Sequence, residues 1–240
     1  PMIKGMLEGG KRISYGARAI TEGGYQSIPK LSFPGGLILG CSAGLVNVPR
    51  IKGNHNAMLS GITAARIACK AIKEGFQNTE LNEYDKEIKD GKVGSDLKPV
   101  KNVKPIWSRF GLLASLIIGG IDMWVANLSG INIFGTLKHG KSDAKSTKPA
   151  KNFKEIEYPK PDGKISFDRL TNVSFSGTNH EENQPCHLFL KNATIPIKKN
   201  LPLFAEPAQR YCPAGVYEVL EKRKNYFTFQ INSQNCVHCK

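Results

Sequence analysis

Several common sources of function are missing from these 240 residues. There is no glycine-rich phosphate loop ending in Lys-Ser or Lys-Thr, no serine nucleophile elbow and no internal repeat, which excludes the plainest nucleotidase, hydrolase and solenoid readings. The apolar run that begins at Phe110 lasts twelve residues before Asp122, short of the roughly 20 that a spanning helix needs. Acidic residues are few, 20 against 34 basic, so the net charge is +14. Those basic residues are scattered, with no aromatic-interleaved groove, which argues against nucleic acid and leaves an anionic lipid surface as a partner. Six cysteines are too few for the disulfide framework of a small secreted domain, and a reducing compartment follows. No signal peptide opens the chain, and the abrupt Pro1-Met2-Ile3 start and the terminal Cys-x-x-Cys together suggest a fragment.

What is present is enough apolar sequence, 40%, to bury a core in one large or two small domains. The chemistry-bearing residues gather at the end. Cys236-Val237-His238-Cys239-Lys240 places two thiolates on one turn, and Cys212-Pro213 supplies a third upstream. A predicted hairpin, residues 216–220, a polar turn 221–225 and residues 226–231, carries Cys212 back towards that pair. An iron–sulfur cluster, a structural zinc and a disulfide all remain open on this pattern. His238, lying between two cysteines, is awkwardly placed to complete a zinc set. His180 with Cys186 and His187 lacks the spacing of a metal site.

In the first half, residues 5–30 are glycine-punctuated and predict loops and short strands, with Glu8, Lys11, Arg12 and Arg18 as a possible anion-binding group. Residues 37–39 predict a short buried strand entering the small-residue turn Gly40-Cys41-Ser42-Ala43-Gly44. Gly53-Asn54-His55-Asn56 opens a helix whose small apolar face is marked by Ala57, Ile62, Ala65 and Ala68 and which ends near Gly75. Such a helix start presents free N–H groups to a carboxylate, a phosphate or a flavin pyrimidine edge. Residues 77–98 are charged, with an exposed helix over 84–88 and no chemistry. Cys41 and Cys69 are expected to be buried.

The stretch around Phe110 reads as a monotopic anchor that Asp122 interrupts. Trp107 and Trp124 suit a headgroup boundary, Phe110, Leu112, Leu113, Leu116, Ile117 and Ile118 suit the lipid, and the flanking lysines suit anionic headgroups. Asp122 is read as turned towards protein or the membrane interface rather than as catalytic. A connector over 141–160 gives a domain boundary near Asn152. Residues 164–168, 172–175 and 187–190 look like short strands.

The chain is similar to the electron-transfer flavoprotein:ubiquinone oxidoreductase family across nearly its whole length. The matching motifs are Leu7-Glu8-Gly9-Gly10-Lys11-Arg12, Phe33-Pro34-Gly35-Gly36, Asn47-Val48-Pro49-Arg50-Ile51-Lys52-Gly53, Tyr158-Pro159-Lys160-Pro161-Asp162-Gly163, Ser176-Gly177-Thr178-Asn179-His180-Glu181, Cys212-Pro213-Ala214-Gly215-Val216-Tyr217-Glu218 and Gln234-Asn235-Cys236-Val237-His238-Cys239. The resemblance implies an α+β or α/β chain in three parts: the C-terminal part of an FAD-binding flavoenzyme domain (1–96), a membrane-associated ubiquinone-binding segment and connector (97–151), and a ferredoxin-like [4Fe-4S] domain (152–240). It implies electron transfer from reduced electron-transfer flavoprotein to ubiquinone by a monomer on the matrix side of the mitochondrial inner membrane, with no nucleic-acid partner. By position it assigns FAD to Gly40, Cys41, Ser42, Ala43, Gly44, Gly53, Asn54, His55 and Asn56, and the cluster to Cys212, Cys236 and Cys239, with a fourth cysteine beyond this chain. No catalytic base is implied. Cys41 stands where flavoenzymes of this kind carry Asp, and Ile51 where they carry Gly. A flavin-dependent prenyl-lipid reductase and a zinc-stabilised basic membrane adaptor are the alternatives.

Overall fold

A computed structural model describes residues 2–239; Pro1 and Lys240, both named in the sequence reading, lie outside the described residues. In chain order the first elements are α1 (Met2–Leu7), β1 (Ser32–Phe33), β2 (Gly36–Leu37), α2 (Asn54–Lys73), α3 (Asn82–Asp90), α4 (Lys92–Leu97) and α5 (Val103–Ser129). There follow α6 (Asp143–Ser146), α7 (Arg169–Ser174), α8 (Leu201–Phe204), α9 (Ala208–Tyr211), β3 (Tyr217–Arg223) and β4 (Tyr226–Ile231). Packing divides the chain into two compact units, Ile20–Ser142, and Pro1–Ala19 with Asp143–Lys240.

The unit at residues 20–142 is built on helices. Alanine-rich α2 follows Gly53 and stops in a Schellman arrangement: Phe76 N–H donates to the Ala71 carbonyl (2.7 Å), Gly75 N–H donates to Ile72 (3.2 Å), and Gly75 takes φ 77. Lys70 and Lys73 sit in its last turn, where they complement the helix dipole. Its buried face is Asn56, Ser60, Ala64, Ile67 and Ala71. The expected face was Ala57, Ile62, Ala65 and Ala68, and Ile62 and Ala65 are exposed. Hydropathy selected the wrong stripe because two of the inward residues are polar and hydrogen-bonded. Leu31, Leu45, Ile67, Tyr84, Ile88 and Leu97 form the core. Tyr84 and Ile88 therefore correct the expectation that the charged stretch was an exposed helix, since its inward edge is apolar at helical spacing.

The pairing of β1 with β2 is antiparallel and only two residues long on each side, Ser32 opposite Leu37 and Phe33 opposite Gly36. The strand expected at 37–39 thus ends at Leu37, and Leu39 is exposed. Asp85 on α3 accepts the N–H groups of Leu31 (2.8 Å) and Ser32 (2.9 Å), anchoring the start of this hairpin. Burial pushes its pKa up, yet those backbone donors outweigh burial and hold it below the ordinary carboxylate value. Burial also pushes the Tyr84 hydroxyl up to about 12, and that hydroxyl donates to the Ile38 carbonyl (3.1 Å).

The charge at Asp122, which ends the apolar run in the sequence, does not interrupt helix α5, which runs to Ser129. The helix is broken instead at Gly111, whose φ of 72 and ψ of −173 separate residues 103–110 from 112–129. Only glycine takes that backbone conformation without strain. Asp122 is buried, 2% exposed, and of the two orientations expected, protein or interface, it takes the first. It accepts Asn102 Nδ2 (3.1 Å) and Asn132 Nδ2 (2.9 Å) on one oxygen and the Phe134 N–H (3.3 Å) on the other. A helix can carry this carboxylate because every neighbour is a donor.

The second unit has a much thinner core: Cys212, Ala214 and Val216, with Val173, Leu188, Tyr217, Ile231, Cys236 and Val237 against them. Residues 164–168 and 187–190 are irregular, and 169–174 is helix α7 rather than strand. Asp168 caps α7 by accepting the Thr171 N–H (2.8 Å), so the local N-cap signal prevailed over the alternating hydropathy. Residues 8–24 are loop without strands. Arg12 lies over the rings of Phe167 (4.0 Å) and Phe175 (4.1 Å) and donates to Asn172 Oδ1 (2.7 Å), so its charge is engaged in packing rather than on an anion. The β3–β4 hairpin forms as predicted, but with β3 extending to Arg223, so the turn is tighter; Asn225 carries it at φ 64.

Candidate functional site

The short helix α9 ends at Cys212, and the chain then turns through Gly215 into β3. Gly215 has φ 65, and a Cβ there would stand 3.3 Å from Arg169 Nε and Leu170 Cδ2, so glycine suits both the turn and the approach of α7. Side chains fix the carbonyls of this turn: Arg169 Nη1 donates to Cys212 O (3.2 Å) and Tyr15 Oη to Pro213 O (3.1 Å). Returning from β4, Asn232 N–H donates to Val216 O (2.6 Å), and Asn232 Nδ2 reaches Glu218 Oε2 (2.7 Å). The hairpin therefore delivers Cys236 and Cys239 beside Cys212.

All three cysteines line one cavity of about 480 Å³, walled by Ala17, Leu188, Ala214, Val216, Tyr217 and Val237. Among the described residues the cysteines are free thiols, so no disulfide joins them. Val216 N–H donates to Cys212 Sγ (3.3 Å), Ala19 N–H to Cys239 O (2.7 Å), and His180 Nε2 to Cys236 O (2.8 Å). Burial, then Tyr211 and the nearby thiols, push the Tyr217 hydroxyl up. Three soft donors in a small, largely apolar cavity, one already holding an N–H···S bond, fit an iron–sulfur cluster by donor chemistry. His187, which sequence spacing had set aside, stands with its ring 4.9 Å from that of His238. Cys186 is exposed and donates to the Leu188 carbonyl (3.4 Å).

The other expected site, in unit 20–142, is a corner held by two polar hubs. Gly40 N–H donates to Ser60 Oγ (3.0 Å), and Ser60 Oγ donates to Ala57 O (2.9 Å), clamping the turn onto α2. Gly40 takes φ 62, and a Cβ there would meet Ala57 Cβ at 3.3 Å. Gly44 closes the turn at φ 75. Asp96 holds the start of α2, accepting Asn47 Nδ2, His55 Nε2 and Asn56 Nδ2, each at 3.0 Å, on one oxygen and Arg50 Nη1 (2.9 Å) on the other. Burial opposes the charge, but these donors outweigh it and lower the Asp96 pKa. Asn56 Oδ1 is buried without a hydrogen-bond partner, an acceptor that a ligand N–H would satisfy. The sequence reading missed Asp96 entirely; its only signal was a lone acid in a charged stretch. Cys41 is half-buried and Cys69 exposed, against the expectation that both were buried.

On the outer face of α5, Leu113 (78%), Ile117 (67%), Trp124 (69%) and Leu128 (82%) are exposed. Trp107, Phe110, Leu112 and Leu116 are exposed with them, whereas Ile118 is half-buried. Ile117, Ile121, Trp124 and Leu128 line a shallow apolar depression of about 570 Å³. Ile121, Leu128 and Ile131, which the sequence reading did not assign to the lipid, are exposed as well.

Three free cysteines in one cavity of a mixed helix-and-sheet chain suit an iron–sulfur protein, and the family model described as "Electron transfer flavoprotein-ubiquinone oxidoreductase, 4Fe-4S" matches residues 163–240. Over its whole length the chain is 49% identical to the mitochondrial electron transfer flavoprotein-ubiquinone oxidoreductase of Pongo abelii and 50% identical to that of Homo sapiens. It is 48% identical to the Pseudomonas aeruginosa protein of the same name. The chain belongs to the electron transfer flavoprotein-ubiquinone oxidoreductase family. It spans about two fifths of the length of these curated relatives, 40% of the two mitochondrial proteins and 43% of the bacterial one.

Proposed function

We propose that this chain is the cluster-bearing and membrane-facing part of an oxidoreductase that carries electrons from reduced electron-transfer flavoprotein, through FAD and a [4Fe-4S] cluster, to ubiquinone. The observation that carries this reading is the convergence of Cys212, Cys236 and Cys239 on one cavity. Those thiolates would hold the cluster, and when bound the cluster and the flavin supply one-electron carriers. The chain's own work is positional. Arg169 and Tyr15 fix the Cys212-Pro213 carbonyls, Val216 N–H offsets charge on Cys212 Sγ, and the apolar wall limits water, which together set the potential.

The turn Gly40, Cys41, Ser42, Ala43, Gly44 and the helix start Gly53, Asn54, His55, Asn56 are the proposed FAD contacts. The orphan Asn56 Oδ1 supports this, offering an acceptor to an N–H on the cofactor. With Cys at position 41 no carboxylate is available there, so the turn acts through backbone N–H groups and Ser42.

The outer face of α5 is the proposed monotopic anchor and approach to the quinone, through Trp107, Phe110, Leu112, Leu113, Leu116, Ile117 and Trp124, with Ile118 at its edge. The stretch Lys92–Ser129 contains an 18-residue window apolar enough to cross a membrane by length and composition. However, the inward face of α5 is tied to protein through Asp122, Asn102 and Asn132, which favours a helix lying in the interface. The names of the mitochondrial relatives support a mitochondrial location for this chain; the matrix side of the inner membrane and a monomeric state are further parts of the proposal.

Iron, sulfide and zinc analysis of the anaerobically reconstituted chain, with a low-temperature EPR spectrum after dithionite, tests the reading. Iron and sulfide in about equal amounts with a reduced-cluster signal, both lost in Cys212→Ser, are expected. Incorporation of iron and sulfide that ignores Cys212→Ser overturns the ligand assignment.

A further inference from the structure

Tertiary packing brings His238, near the chain end, against two imidazoles of one loop, His180 and His187. His187 and His238 stack with ring centroids 4.9 Å apart, and His180 lies 5.4 Å from His187 and 5.0 Å from His238. Their roles differ. His180 is buried, and its two nitrogens are engaged: Nε2–H donates to the Cys236 carbonyl (2.8 Å), and Nδ1 accepts from Gln184 Nε2 (3.3 Å). It acts as a strut that fixes the Cys236 backbone and the neighbouring rings. His187 and His238 are exposed, and their ligating nitrogens lie with Cys236 Sγ all within 4.8 Å of one another. Ligand atoms around one tetrahedral zinc stand about 3.3–3.7 Å apart, from bonds of about 2.0–2.3 Å. Closing the set therefore takes about an ångström of side-chain movement, which exposed imidazoles can make by rotation, and water supplies the fourth position.

We propose that His187, Cys236 and His238 form a site for a borderline divalent cation such as zinc. The site shares Cys236 with the proposed cluster ligand set, so zinc and the cluster are alternative occupants. On binding, the Cys236 thiol gives its proton to solvent, the thiolate and two neutral imidazole nitrogens each donate a pair to the cation, and no electron is transferred. A zinc-loaded chain has one of its three cluster thiolates engaged and takes up iron and sulfide poorly. This consequence rests on the cluster reading, whereas the cation site itself does not.

The test is titration of the reduced, metal-free chain with Co²⁺, followed by displacement with Zn²⁺. Expected are one equivalent bound, tetrahedral d–d bands and a sulfur-to-cobalt charge-transfer band of single-thiolate intensity. His187→Ala and His238→Ala each lower the affinity by at least about tenfold, while Cys212→Ser leaves the spectrum unchanged. Circular dichroism of the histidine variants checks that they fold; if either does not, His187→Gln or His238→Gln replaces it. A cobalt spectrum of three-thiolate intensity that needs Cys212 and ignores both histidines overturns the proposal, and so does failure to bind cobalt at stoichiometric concentration. Failure of cluster reconstitution with the cobalt result intact strikes only the cluster reading.

Discussion

The two units solve the problem of staying folded by different means. Residues 20–142 bury whole side chains, Leu31, Leu45, Tyr84 and Leu97 among them, and use Asp85, Asp96 and Asp122 as carboxylate hubs that satisfy donors between elements. The cysteine unit packs small groups, Cys212, Ala214 and Val216, and leaves residues 175–193 without helix or strand. A small core gains little from burial. Where the core is thin, bonds to an inorganic group contribute folding free energy outright, so the proposed ligand set would serve this unit as a staple as well as a site.

The largest effect expected from this contrast is a split response to loss of the cluster. Chelation of iron, or Cys212→Ser, should lower amide-exchange protection in β3 and β4 more than in α2 to α4; equal loss in both units would remove the distinction. Next comes Tyr84→Ala, expected to cost about 3–5 kcal/mol, as for other buried aromatics, in the denaturant transition of the helical unit only. A cost below 1 kcal/mol would mean that its core is looser than its burial implies.

The acid response sharpens the comparison further. Asp85 and Asp96 have lowered folded-state pKa values, so their contribution is complete above the unfolded carboxylate value and is lost as pH falls through the folded one, below about pH 5. Unfolding free energy measured from pH 6 to pH 3 should fall less steeply in Asp85→Asn than in the parent. An unchanged slope would show that the backbone donors of Leu31 and Ser32 do not discriminate the ionised form. The smallest effect is Lys30→Ala, which removes an exposed pair with Glu80 at 2.7 Å and should change stability by less than about 1 kcal/mol.

The outer face of α5 offers a separate handle. Leu113→Glu with Ile117→Glu should abolish liposome binding without shifting the thermal midpoint, because both side chains are exposed. Retained binding would locate the membrane contact elsewhere.

The sequence by itself determined the features whose cause is local. The hairpin around Tyr217 and Tyr226, the small-residue turn at Gly40, the start of α2 at Asn54 and its stop near Gly75 follow from spacing, turn chemistry and helix propensity, and they appear where expected. The shared position of Cys212, Cys236 and Cys239 was foreseen because the hairpin between them is itself local. What only the tertiary structure decided depends on partners distant in the chain. Asn56 and Ser60 face inward because Asp96 and Gly40 satisfy them. Helix α5 continues through Asp122 because Asn102 and Asn132 donate to its carboxyl group, and its break falls at Gly111, unremarked in the sequence. His187 meets His238 across 51 residues, a distance over which neither periodicity nor spacing carries information. A buried polar side chain is stabilised by hydrogen-bond partners, and the identity of those partners is fixed by packing rather than by neighbouring residues.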